Sequence, residues 1–322
     1  MPAGRDFVFN VVWTGSVFHH LQVFMASLLH HSDARFRFVA NACPPDQVAA
    51  MEAFAERWPS RVAEVVVAST DRMIRHGEAL DQVLATRDDG DLFCLIDPDI
   101  CAVAPFVDTF ATILDGHDAV TSGKEVWSDH NVRPADHPGV NGEYFFDHDG
   151  FVFGSPHLAM YRSGPLRESI GRWHVGFGSV GNDLPEPARR RLVEVGRGYW
   201  VYDTAKVVNI LLQADGHTLV HEEHPDLVHI GGVSHFLAPP SSAPAMRGKP
   251  PRWGEGPDWG EHDGMAERFA VAQYTARVLA DLMAGHPAPA VPPDAPAAVR
   301  ERLEPVRRVL IDLVAAYGPG SH

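Results

Sequence analysis

The chain has 322 residues, and Lys+Arg 27 against Asp+Glu 42 leaves it at −15 with histidine neutral. A chain of this length buries about 75% of its unfolded surface, so its core needs neither disulfides nor a structural metal. The 45% apolar fraction excludes a disordered chain, the acidic balance excludes a basic coat for nucleic-acid phosphates, and no run of 18 apolar residues offers a membrane span.

Phe7 to Trp13 is a continuous apolar run ended by Thr14-Gly15-Ser16, the pattern of a strand buried on both faces. Phe18 to Leu29 carries apolar residues at helical spacing, with Ser16 the expected N-cap. A second strand follows at Phe36–Ala40, and Pro44-Pro45-Asp46 opens a helix through Met51, Phe54 and Trp58. Val62–Val67 is a third strand, Gly77–Thr86 a short helix, and Leu92–Ile96 a fourth strand ended by Asp97-Pro98-Asp99. This alternation predicts an α/β fold with a doubly wound, mostly parallel sheet, whose ligands sit beyond the carboxyl ends of the strands. Thr14-Gly15 and Asp97-Pro98-Asp99 are therefore the two loops to watch.

The middle of the chain is less regular. Trp127 to Gly150 is a polar loop, Phe151–Phe153 and His157–Arg162 read as short strands, and Asp203–Ala214 reads as a helix. Leu227–Ile230 is a last strand before Gly231-Gly232. Residues 238–264 form a long loop rich in Pro, Gly and Trp, followed by an amphipathic helix at Met265–Ala284, a stiff Pro-rich linker and a final helix at Ala297–Tyr317. The two C-terminal helices are expected to sit outside the sheet, their apolar faces covered by the domain or by a second copy of the chain. Cys43, Cys94 and Cys101 are an odd set without disulfide spacing, and the N-terminus carries no secretory signal pattern, so a reducing cytoplasm is expected.

The sharpest chemical feature is Asp97-Pro98-Asp99. Two carboxylates two residues apart at the end of a buried strand can converge on one hard cation, and Mg²⁺ or Mn²⁺ take such ligands and bridge to phosphates. The same tripeptide in isolation is an ordinary turn. Gly176 to Gly181 matches GxGxxG, but Pro185 and Pro187 follow where a dinucleotide motif would open a helix. Those glycines are read instead as a turn or as a close backbone approach to a sugar. His221 and His224 in HEEHP lack the spacing of the zinc-protease pair.

The segment LFCLIDPDICAV resembles the DxD segment of GT-A-fold glycosyltransferases, and three further segments fall in a similar order. His76-Gly77-Glu78-Ala79-Leu80-Asp81 resembles the helix before DxD. Tyr202-Asp203-Thr204 resembles the helix opening that carries an acid near the acceptor. Leu227-Val228-His229-Ile230-Gly231-Gly232 resembles the late His-x-x-Gly segment of family 8-like enzymes. The resemblance spans roughly residues 7 to 236 and implies a GT-A catalytic domain at 1–236, its nucleotide half at about 1–105 and its acceptor half at about 106–236. The long loop at 237–264 and a helical extension at 265–322 would follow.

By that resemblance Asp99 binds a divalent metal, Asp97 binds the metal or the ribose, and His229 is the third protein ligand. Thr14 and Gly15 touch the base, and His76 and Asp81 belong to the same nucleotide side. Lys249 and Arg252 in GKPPRW stand where a lysine segment meets the diphosphate, although the spacing departs from the family pattern. Asp203 is the candidate base for an inverting transfer, and Asp is also a favoured helix N-cap. The implied activity is metal-dependent transfer from a nucleotide-diphosphate sugar, a UDP-sugar being favoured, to a soluble small-molecule or peptide acceptor. Neither a nucleic-acid polymer nor a membrane span is expected, and the C-terminal helices are candidates for a homo-oligomer contact. Two alternatives remain at the level of sequence. A haloacid-dehalogenase-like phosphatase would use Asp97 as nucleophile, but three strands precede it and Cys101 stands four residues on. A non-catalytic sugar- or nucleotide-binding relative would be expected to have lost one of the two acids.

Overall fold

The computed structural model describes residues 7–126, 147–148, 150–154, 157–179, 184–198, 204–237, 265–295 and 297–318. Its elements run β1 (Val8–Thr14), α1 (Phe18–His30), β2 (Arg35–Asn41), α2 (Pro45–Arg57), β3 (Val62–Ser69), α3 (His76–Thr86), β4 (Leu92–Ile96), β5 (Ile100–Ala102), α4 (Val107–Ile113) and β6 (Ala119–Ser122). There follow β7 (Asp147–His148), β8 (Phe151–Val152), β9 (Leu158–Arg162), α5 (Ser163–Trp173), α6 (Glu186–Glu194), α7 (Lys206–Ala214), β10 (Leu219–His221), β11 (Leu227–His229), α8 (Ser234–Leu237), α9 (Met265–Met283) and α10 (Ala297–Tyr317).

The expected mixed α/β architecture is what the chain adopts. Seven strands form one sheet in the order β10-β6-β9-β4-β1-β2-β3. β1 pairs in parallel with β2 along its whole length, from Val8 opposite Arg35 to Thr14 opposite Asn41. It also pairs in parallel with β4 through Phe9 and Asn10. Thr14, Asn41 and Asp97 therefore leave the sheet at one carboxyl edge. The exception to parallel order is β9, inserted antiparallel between β4 and β6, with Leu158 opposite both Ile96 and Ser122. A small antiparallel ribbon, β5 with β11, pairs Ile100 with His229 just beyond that edge.

Alternation along β1 divides the core. Phe9, Val11 and Trp13 point to one face, where they meet α1, α4 and the C-terminal helices, while Val12 points to the other. On the first face Trp13 meets Phe18 edge-on at 4.8 Å, and Phe38 lies 5.8 Å from Phe54. Val278, Leu279, Leu303 and Leu310 join this same core, so the apolar sides of α9 and α10 are covered by the domain itself. Tyr317 ends α10 with its ring 5.7 Å from His30. The second face packs Phe93, Tyr161 and Phe177 against α7.

Several local expectations are corrected. The N-cap of α1 is Val17 rather than Ser16, and the His19 N–H is received by the Gln47 side chain at 3.3 Å. Pro187 does not break a helix but sits in the first turn of α6, where its missing N–H costs nothing. Helix α7 begins at Lys206 with Ala205 as its N-cap, at a φ of 67°. Position 203 thus precedes the cap by two residues, and Asp203 itself lies outside the described residues, as do Lys249 and Arg252.

One buried amide fixes the loop before α3. Asn41, at the end of β2, donates from Nδ2 to the Ile74 carbonyl at 2.8 Å and accepts the Ile74 N–H at 3.0 Å. Replacing it with alanine leaves both backbone groups buried without partners, at a cost of roughly 1–3 kcal/mol each at most. Asn41→Ala is expected to lower stability in urea unfolding by about 2–6 kcal/mol at most, the sum for the two groups. A loss below about 0.5 kcal/mol would show that the amide does not hold the loop.

Candidate functional site

A cleft of about 460 Å³ opens at the carboxyl edge of the sheet, lined by Thr14, the 73–76 loop, Asp97, Pro98, Asp99, Glu125, His157, His229 and the Gly231-Gly232 turn. It lies at the edge marked out by the strand alternation, where parallel strands end together.

Four backbone segments are tied to one another beneath it. The Asp97 N–H donates to the His157 carbonyl at 2.6 Å, because β9 begins opposite the point where β4 ends. The Ile230 N–H donates to the Asp99 carbonyl at 3.1 Å, and the Val126 N–H donates to the His229 carbonyl at 3.0 Å. Gly123 belongs to the same frame. Its φ is +97°, and a Cβ there would stand 3.1 Å from the His157 Cβ and 3.3 Å from the Ile100 side chain. Only glycine both adopts that conformation without strain and leaves room for the imidazole.

The side chains converge on this frame. His229, with its side chain 2% exposed, donates from Nδ1 to the Gly123 carbonyl at 2.6 Å. That bond fixes the ring and aims Nε2 at Asp99 Oδ1, 3.2 Å away, and towards Asp97 Oδ2 at 4.0 Å. His157 lies between two acids, with Nδ1 2.8 Å from Asp97 Oδ2 and Nε2 2.8 Å from Glu125 Oε1. The two imidazole rings are 4.3 Å apart. His76 opens α3 and places Nε2 3.7 Å from Asp97 Oδ1.

Electrostatics follow from burial and pairing. Burial would push the Asp99 carboxyl up, but His229 beside it and His157 nearby outweigh that and hold it below the usual carboxylate range. Burial would lower the His157 imidazole, but Glu125 and Asp97 outweigh it and raise the ring well above its ordinary value. The cluster therefore favours ionised acids facing cationic or metal-bound partners.

Of the residues singled out from sequence, Thr14, His76, Asp97, Asp99 and His229 are brought together in the cleft. Gly15 follows Thr14 in the left-handed region at φ 57° and donates its N–H to the Asn41 carbonyl. Asp81 is placed elsewhere. Its carboxylate accepts the N–H groups of Phe177 at 2.7 Å and Gly178 at 3.1 Å, and burial raises its carboxyl despite both donors. The glycine-rich turn thus packs backbone to backbone on α3, and a Cβ at Gly77 would collide with Phe177 and Gly178. His157 and Glu125 were not anticipated. The available signal was the strand beginning at His157, which becomes informative only once β9 is known to run antiparallel to β4.

No protein-family model matches the sequence, and no curated protein sequence matches it. Among solved structures the chain is similar to the galactosyltransferase LgtC in complex with donor and acceptor sugar analogues. That match has 12% identity, 83% of this chain and 95% of that one covered, and a TM-score of 0.46. It is similar also to the mannosyltransferase PcManGT from Pyrobaculum calidifontis in complex with GDP-Man and Mn²⁺ (16% identity, 98% and 77% covered, TM-score 0.42). A third is the 1–349 segment of S. aureus TarS (15% identity, 67% and 58% covered, TM-score 0.42), of which this chain spans little more than half the length. What the chain does is read below from its own side chains.

Asp81 offers a test of structural against nucleotide-binding roles. Removing a charged acceptor of two backbone N–H groups costs about 1.5–3 kcal/mol. Asp81→Ala is expected to lose stability of that order in chemical unfolding and to keep its affinity for nucleoside diphosphates. Weakened nucleotide binding with unchanged stability would return Asp81 to the nucleotide side.

Proposed function

We propose that the chain is a metal-dependent glycosyltransferase that takes its sugar from a nucleotide-diphosphate donor. The observation that carries this reading is His229 Nε2 facing Asp99 at 3.2 Å and Asp97 at 4.0 Å, with donor atoms of Asp97, His157 and His229 within 4.8 Å of one another, in a cleft at the carboxyl edge of a mostly parallel sheet. Oxygen and imidazole donors of this kind fit a divalent cation such as Mn²⁺ or Mg²⁺. Such an ion supplies positive charge for the diphosphate oxygens as they leave.

The surrounding residues supply the rest. Thr14 and the loop at 73–76 form the wall on which a nucleoside would lie, and the N-terminus of α3 opens onto the same cleft, where backbone N–H groups favour a negatively charged ligand. The acceptor hydroxyl would attack the anomeric carbon, the bond from that carbon to the diphosphate oxygen would break, and the nucleoside diphosphate would leave. In an inverting reaction the hydroxyl proton passes to a carboxylate, for which Asp203 is the candidate. Lys249 and Arg252 are the candidates for holding the diphosphate from the long loop. A UDP-sugar donor, a small-molecule or peptide acceptor and a cytoplasmic setting complete the proposal. No helix among the described residues is long and apolar enough to cross a membrane.

The phosphatase alternative needs Asp97 free to attack phosphorus. Its Oδ2 is held by His157 and its Oδ1 faces His76, which suits a ligand or orienting group better than a nucleophile.

Thermal shift with UDP, GDP and their sugar conjugates, with and without Mn²⁺, tests the reading. The wild-type chain is expected to be stabilised by at least one of these only when the metal is present. Asp99→Asn is expected to fold and to lose that metal-linked stabilisation. Metal-independent binding in the wild type, or full stabilisation of Asp99→Asn, would contradict it.

A further inference from the structure

The two histidines of the cleft share a feature that the three-residue metal set does not use. Each gives one ring nitrogen to a fixed acceptor and turns the other towards the same carboxylate oxygen. His229 holds the Gly123 carbonyl through Nδ1 and presents Nε2, and His157 holds Glu125 through Nε2 and presents Nδ1. Metal-bound histidines characteristically donate their outer N–H to a backbone carbonyl or a carboxylate, which fixes tautomer and orientation. Both forms of that arrangement occur here, side by side.

The spacings agree. Adjacent ligand atoms on an ion with bonds of about 2.0–2.2 Å stand roughly 3 Å apart, and opposite ones roughly 4 Å. The separations are 2.8 Å from His157 Nδ1 to Asp97, 3.2 Å from His229 Nε2 to Asp99, and 4.0 Å from His229 Nε2 to Asp97. Donor atoms of Asp97, His157 and His229 all fall within 4.8 Å of one another. Such a set needs little rearrangement to close on a cation.

Building on the metal-dependent reading above, we infer that His157 is a second imidazole ligand with Glu125 as its outer carboxylate. The site then has two imidazoles and two carboxylates, and it selects a first-row transition ion over Mg²⁺. Imidazole suits the borderline transition ions, whereas Mg²⁺ prefers oxygen and retains its waters. As Nδ1 takes the cation, its proton leaves to solvent. A purely supporting His157 would hold Asp97 in place and affect every cation alike.

The test is titration of the full chain, without nucleotide, with Co²⁺ and separately with Mg²⁺, following heat and the visible absorption of Co²⁺. Wild type is expected to bind Co²⁺ far more tightly than Mg²⁺. His157→Gln can still hydrogen-bond within the cluster, and it is expected to shift the Co²⁺ spectrum and to lose Co²⁺ affinity selectively. Glu125→Gln is expected to weaken Co²⁺ binding by about 10–100-fold, and it carries the test if His157→Gln fails to fold by circular dichroism. Unchanged spectrum and affinity in either variant, or parallel losses of Co²⁺ and Mg²⁺ in His157→Gln, would overturn the inference. Selective Co²⁺ loss in a protein that binds no nucleoside diphosphate would uphold this site and remove the glycosyl-transfer reading instead.

Discussion

Three carboxylates, Asp97, Asp99 and Glu125, are held largely out of water at one edge of the sheet, their side chains 18%, 7% and 9% exposed. Like charges this close repel, and desolvation adds to the cost, so the arrangement survives only if cationic partners are built in. His157, raised by Glu125 and Asp97, is such a partner, His229 Nε2 faces Asp99 at 3.2 Å, and the positions of the two rings account for much of the local backbone. The Gly123 conformation, the antiparallel run of β9 and the β5–β11 ribbon each place one imidazole against an acid. A structure that concentrates negative charge in this way suits a divalent cation, which is the premise of the proposed transfer from a nucleotide-diphosphate donor.

The parallel part of the sheet and the inserted strand have different tasks. β1, β2 and β4 end together and define the cleft floor, as any doubly wound sheet does. β9 runs the other way, so its start rather than its end meets the cleft, through His157 immediately before its first residue. This is how a histidine far along the chain comes to share a hydrogen bond with Asp97. On the opposite wall, the Asn41 amide and the first turn of α3 hold the 73–76 loop. The site is therefore supported on both sides by regular structure.

How much of this was legible depended on how local the cause was. The first four strands and three helices were readable because burial on both faces writes a continuous apolar run, and amphipathic packing writes a 3.6-residue repeat. Asp97 and Asp99 were readable because they end such a run. Pro187 misled because proline breaks a helix interior but suits its first turn. The glycines at 176–178 were placed in a turn, and their actual demand, a close approach of α3 with Asp81 receiving two N–H groups, needs the tertiary contact to be seen. His157 and Glu125 were beyond sequence for the same reason, since one of 19 histidines gains meaning only from the strand beside it.

The central claim is that Asp97, Asp99 and the two histidines hold one divalent cation in the cleft. Anomalous diffraction at the manganese edge, from crystals grown with Mn²⁺ and a nucleoside diphosphate, tests it most directly. The account requires a single strong peak within coordinating distance, about 2.0–2.4 Å, of Asp97, Asp99, His157 and His229, with diphosphate density against it. A cleft without a peak, or a peak bound only by residues outside this set, would contradict it.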